Sequence, residues 1–87
     1  MPQKYAVFPR FEAAALYRSL RWPERDQLER FLDALQSYPF IEGETTERDA
    51  AGRTVAVKFL GKFKIVYWAD HSVKEIKVLR LERLSRK

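Results

Sequence analysis

The 87-residue sequence has no cysteine and only one histidine. Without cysteine there is no disulfide framework and no thiolate metal site. With His71 alone, histidine-based zinc sites are excluded and a histidine-dependent triad is disfavoured. No apolar run reaches the ~18 residues of a membrane-spanning helix, and the first residues lack a secretory-signal pattern. A cytoplasmic location away from membranes is expected. Internal repeats and low-complexity segments are absent. A chain this short buries roughly 60% of its unfolded surface. One domain over residues 1–87 is expected, with one core, little room for a deep pocket, and no cofactor or metal.

What is present is charge, unevenly placed. Residues 1–52 hold seven bases and nine acids, a balance of −2. Residues 53–87 hold ten bases against Asp70, Glu75 and Glu82, a balance of +7. Such asymmetry points to an anionic partner for the second half, either nucleic acid or an acidic protein.

Along the chain, Lys4 to Phe8 reads as a short strand ended by Pro9. Ala13, Leu16, Tyr17 and Leu20 fall at helical spacing, and that helix must stop before Pro23. Pro23 suits a helix start, with Glu24 and Asp26 in the first turn. Leu28, Phe31, Leu32 and Leu35 form an i, i+3, i+4, i+7 stripe. Two helices so closely spaced form a hairpin. Four strand segments follow, with turns at Ala50–Gly52, around Gly61, and at Asp70–Val73. Short connections make these strands antiparallel. The expected fold is α+β, ordered β-α-α-β-β-β-β. A helical hairpin lies on one face of a mostly antiparallel sheet.

The turn at Gly61 decides where the lysines point. A two-residue loop, Gly61–Lys62, sets Lys58 opposite Ile65 and mixes charge with apolar residues. A three-residue loop, Leu60–Gly61–Lys62, sets Phe59 opposite Phe63 and Lys58 opposite Lys64. Val55, Val57, Phe59, Phe63, Ile65 and Tyr67 then share one face. Thr54, Ala56, Lys58, Lys64, Val66 and Trp68 share the other. A one-residue slip inverts a strand, so segregation favours the second register. It predicts two facing lysines beside Val66 and Trp68, on a face suited to a partner with charge and a stacking surface.

The element order, together with Gly61, Phe63-Lys64, Ile65-Val66, Tyr67 and Val78-Leu79-Arg80-Leu81-Glu82-Arg83, resembles the RelE/ParE superfamily of bacterial toxin–antitoxin toxins, some of them linked to plasmid stabilization. The RelE branch implies a metal-independent, ribosome-dependent mRNA endonuclease that inhibits translation. Lys64 stands where that family places a catalytic arginine, and Phe63 where it has a tyrosine. The Ser85-Arg86-Lys87 stretch has no tyrosine of the family's kind. Lys58 lies near the family's preceding basic residues and Arg83 within one position of its late-strand base. The resemblance implies Lys64, Lys58 and Arg83 as catalytic residues. Lys62, Arg80, Trp68 and Arg53 are expected RNA contacts.

Attack of a 2′-OH on phosphorus needs a base, charge stabilisation and an acid. With histidine absent from the basic face, lysine would be the base. Its pKa of ~10.4 would have to fall by about 3. Crowding by Lys58, Lys62 and Arg83 in a site completed by a ribosome is the expected means. The ParE branch implies instead a DNA gyrase inhibitor acting by binding. A third possibility is a toxin-like binding module without chemistry. Each toxin reading implies a cognate antitoxin, an acidic or amphipathic chain laid over the lysines. The free protein is expected as a monomer or weak dimer. Asp70–His71 reads as a solvated turn, and Arg10, Arg18, Arg21, Arg25 and Arg30 as the wet faces of the helices. Glu42, Glu44 and Glu47 read as a solvated acidic strand edge, the alternatives being pairing with the basic half or binding of a cation.

Overall fold

The computed structural model describes residues 4–84, so Ser85-Arg86-Lys87 lies outside the described residues. The elements are β1 (Ala6–Pro9), α1 (Phe11–Ser19), α2 (Glu24–Ser37), β2 (Thr45–Arg48), β3 (Thr54–Leu60), β4 (Phe63–Asp70) and β5 (Glu75–Arg83). The sheet order is β1-β5-β4-β3-β2. β1 runs parallel to β5, and the other neighbours are antiparallel. This is the expected α+β arrangement. Pro23 sits one position before α2 instead of inside it.

The core lies between helices and sheet. Ala13 and Leu20 from the first helical segment, with Leu28 and Leu35 from α2, are buried against Phe63, Ile65, Tyr67, Ile76, Val78 and Leu81. These are the apolar positions of the helical stripes and alternate residues of the strands. The Tyr67 hydroxyl donates to the Ile41 carbonyl at 3.2 Å. Desolvation pushes its pKa up to about 12. That bond ties the loop after α2 to the sheet.

The β3–β4 hairpin departs from the expected register. Leu60 pairs with Phe63, Phe59 with Lys64 and Lys58 with Ile65, so the loop is the two-residue Gly61–Lys62. Gly61 takes a φ of +60°. A positive φ at the first central residue is what a type II′ loop requires, and glycine adopts it without steric cost. Every β3 side chain is therefore on the opposite face from the one expected. Ala56, Lys58 and Leu60 face the helices, while Val55, Val57 and Phe59 face away.

Segregation failed as a criterion because neither face is purely wet. Val55, Val57, Val66 and Leu79 form a second buried cluster, on the side without helices. Lys58 is tolerated on the helix side because it is peripheral. Its ammonium lies 3.5 Å from Glu44 and 6.0 Å from the Phe31 ring centroid. Its methylenes can pack while the charge stays wet.

A bulge follows on β5. Val66 pairs with Arg80 but Tyr67 pairs with Val78, leaving Leu79 as the extra residue. Leu79 joins the second apolar cluster and Arg80 stays beside Val66. One strand thus sends two consecutive side chains to the open face.

Candidate functional site on the open face of the sheet

The open face is built from alternate residues of β2 to β5. Pairing Phe59 with Lys64, Lys64 with Glu82, Val66 with Arg80 and Val55 with Glu47 puts these residues on one surface. Lys64 and Arg80 sit on adjacent strands and share two carboxylates. Lys64 Nζ is 3.0 Å from Glu47 Oε2 and 3.4 Å from Glu82 Oε1. Arg80 Nη2 is 2.6 Å from Glu47 Oε1, and its Nε is 3.0 Å from Glu82 Oε2. The four side chains close a ring of alternating charge. Their stems lie beside Val57 and Val66, each only 1% exposed. With no helix on this face among the described residues, the charged side chains and their neighbours are what cover those valines.

The ring governs protonation. The hydrogen bond from Lys64, then that from Arg80, holds the Glu47 carboxylate below its ordinary range. The same bond from Glu47, with the charge of Glu82 behind it, raises Lys64 above its ordinary pKa. In the free chain Lys64 is thus shifted away from neutrality, opposite to the lowering that a lysine base would need. Its two nearest charged neighbours are carboxylates, not the cations that the three-residue loop would have supplied.

A second group lies along the same face. The Arg53 guanidinium carbon stands 4.1 Å above the Trp68 ring centroid, and Lys77 Nζ is 5.5 Å from it. Lys77 is 3.3 Å from Asp70 and 3.8 Å from Glu75, while Arg53 is 3.9 Å from Asp49. The Ser72 hydroxyl, followed by Lys77, holds the Asp70 carboxylate below its ordinary value. The Trp68 indole N–H is buried and has no hydrogen-bond partner among the described residues. Trp68 is thus on the expected face, roofed by cations.

The structure brings together Lys64, Arg80, Trp68 and Arg53 from the sequence-based candidates. It separates Lys58, which is on the helix side with Glu44. Arg83 pairs with Phe63 and bonds Glu24 of α2 at 3.1 Å, also on the helix side. Lys62 is exposed at the hairpin tip. The expected face-to-face pair of Lys58 and Lys64 does not exist. The face is not broadly electropositive either, since Arg53, Lys64, Lys77 and Arg80 are each matched to an acid. Glu82 and Lys77 were absent from the sequence reading of the site. The Arg80–Glu82 spacing of two in a strand was the available signal for the former, because such residues share a face. Of the two readings of Glu47, a solvated edge or a partner for the basic half, the structure shows the second: it holds both cations of the ring.

No family model matches this sequence, and no curated protein matches it. Solved structures do. The archaeal RelE–RelB complex from Pyrococcus horikoshii OT3 superposes with a TM-score of 0.76 at 20% identity, over 97% of this chain and 99% of that one. The isolated E. coli RelE toxin gives 0.75 at 19% identity, over 95% of this chain and 87% of that one. The RelBE2 complex from Mycobacterium tuberculosis gives 0.68 at 21% identity, over 92% and 98%. The fold is that of the RelE toxins. The fold implied by the resemblance is thus matched over nearly the whole chain.

Proposed function

We propose that this chain is the toxin component of a type II toxin–antitoxin pair and acts in the cytoplasm on mRNA at the ribosome. The observation that carries the reading is a RelE-like sheet with Lys64 and Arg80 side by side on its open face. On this reading their role is electrostatic. Substrate phosphate replaces Glu47 and Glu82 as their partner, and the two cations offset charge that builds on phosphorus during attack. Arg80 offers a fork and Lys64 a point charge. Proton acceptance from the 2′-OH then falls to Glu47 or Glu82, released from the ring, and not to Lys64, and the leaving 5′-oxygen takes its proton from solvent water. Lys58 and Arg83 have no part in it. Arg53 and Trp68 extend the same face as RNA contacts.

The similarity to RelE chains solved in complex with RelB supports a cognate antitoxin. A chain that covers the open face would occupy Lys64 and Arg80 with its own acids. Inducible expression in a bacterial host tests the whole reading. Growth arrest with cleavage of ribosome-bound mRNA is expected for the wild type. Lys64→Ala combined with Arg80→Ala should abolish both, while Lys58→Ala should retain both. Absence of arrest by the wild type would remove the toxin reading.

One observation favours a second reading. The closed ring leaves Lys64 charged and fully partnered at neutral pH. That suits a toxin that inhibits by binding, in the manner of a gyrase inhibitor. Arrest with intact mRNA and DNA-damage signalling would select it.

A further inference from the structure

Three elements meet at a corner away from the charge ring. The Gln27 side chain lies against Gly61, where an added Cβ would stand 2.8 Å from its Oε1. Arg83 Nη1 reaches both carboxylate oxygens of Glu24, at 3.1 and 3.2 Å. The Leu84 N–H donates to the Lys62 carbonyl at 2.8 Å. The first turn of α2, the β3–β4 tip and the end of β5 are thereby held to one another. Between them is a depression of about 420 Å³, lined by Arg21, Trp22, Glu24, Lys62 and Arg83 among others.

The composition of this corner is unusual for a solvated surface. Trp22 is 80% exposed, the most exposed of the large apolar side chains among the described residues. Arg21 and Lys62 border the same depression and make no ion pair among the described residues. Arg83 spends one guanidinium nitrogen on Glu24, and no other guanidinium nitrogen of it donates within the described residues. Three cations against one carboxylate leave a local excess of two positive charges. The open face, by contrast, has its cations neutralised in place.

We propose that this corner binds single-stranded polynucleotide. A base stacks on Trp22, and the flanking phosphates meet Arg21, Lys62 and the free edge of Arg83. Charge alone would admit an acidic protein, but an indole left bare beside cations fits a ligand that repeats a flat ring and an anion at every unit. The base stack needs no hydrogen-bond code, so binding is tolerant of sequence. The salt dependence is that of about three released counterions, a log–log slope near −2 for a single strand. The proposal does not depend on the toxin reading.

The purified full chain, a labelled oligouridylate, an oligothymidylate of equal length and a polyglutamate peptide provide the test, read by fluorescence anisotropy. Trp22→Ala is expected to weaken oligonucleotide binding about tenfold. Arg21→Ala with Lys62→Ala should make the salt slope shallower by about 1.4. Both variants change exposed side chains, and unchanged denaturation curves will verify their folding. Lys58→Ala, on the helix side beside Glu44 and outside this corner, should leave this affinity unchanged. In a Trp68→Phe background Trp22 is the sole tryptophan, and its emission should be quenched on saturation. Preference for uridylate would name RNA, and equal affinities would name any single strand; both support the site. Equal or tighter binding of polyglutamate, or affinity insensitive to Trp22→Ala, would overturn it.

Discussion

Gly43 stands where the chain entering β2 passes close over β3. A Cβ there would lie 2.5 Å from the Val57 carbonyl oxygen and 2.8 Å from its nitrogen. Backbone cannot rotate away as a side-chain tip can. The neighbouring Glu44 N–H also donates to that carbonyl at 2.8 Å, so retreat would break a bond. Gly43→Ala should therefore cost about 1–3 kcal/mol, the range of overpacking in a fitted interior. It would show as a lower urea midpoint at unchanged m. An unchanged midpoint would mean that the loop lifts freely. Nothing in the sequence marks this glycine, because the contact that demands it is fourteen residues distant. Lys64 and Trp68 were more legible. In β4 the lone Lys64 between Phe63 and Ile65 assigns the faces, and Trp68 follows it at even spacing. The ring partner Glu47 was not, since its role depends on β2 docking beside β3.

At the scale of elements, order and type were readable because the signals are local. The helical stripes, Pro9, Pro23 and the glycine-bearing turns each act over a few residues. The parallel pairing of β1 with β5 was not readable, because no short connection relates the chain's two ends. The hairpin register was misread for a different reason. The choice assumed that a sheet has one dry face, whereas long ion-paired side chains here dry the second face as well. The two registers make opposite claims about Phe59, which is 41% exposed on the open face while Phe63 is fully buried. Phe59→Ala should cost under about 1 kcal/mol, and Phe63→Ala about 3–5 kcal/mol. Equal losses in parallel urea titrations would restore the three-residue loop, and with it the lysine pair.

For the whole molecule, the charge asymmetry along the chain is largely cancelled by folding. Glu24, Glu44, Glu47 and Asp49 of the acidic half pair with Arg83, Lys58, Lys64, Arg80 and Arg53 of the basic half. Counting residues reveals the imbalance but not its internal partners, so the +7 of residues 53–87 overstates the field offered to a ligand. This cancellation makes stability depend on pH in a definite direction. Glu47 and Asp70 are held below their ordinary values of 4.5 and 3.8 by partners that exist only in the folded state. The contribution of each is complete above its ordinary pKa and disappears as pH falls through the lower folded value. Lys64, raised above its ordinary 10.5, contributes fully below that value and loses its contribution as pH rises through the folded one. Stability should therefore be level between about pH 5 and 9 and decline on either side. A Glu47→Gln/Asp70→Asn double variant should be less stable than wild type at neutral pH. The difference should close below about pH 3.5, where these groups bind protons in folded and unfolded chains alike. At 1 M salt the neutral-pH gap should shrink, since the screening length is then about 3 Å. Urea titrations at neutral and acid pH check this, and a gap that stays constant across them would mean the ring and the Asp70 pair contribute nothing through charge.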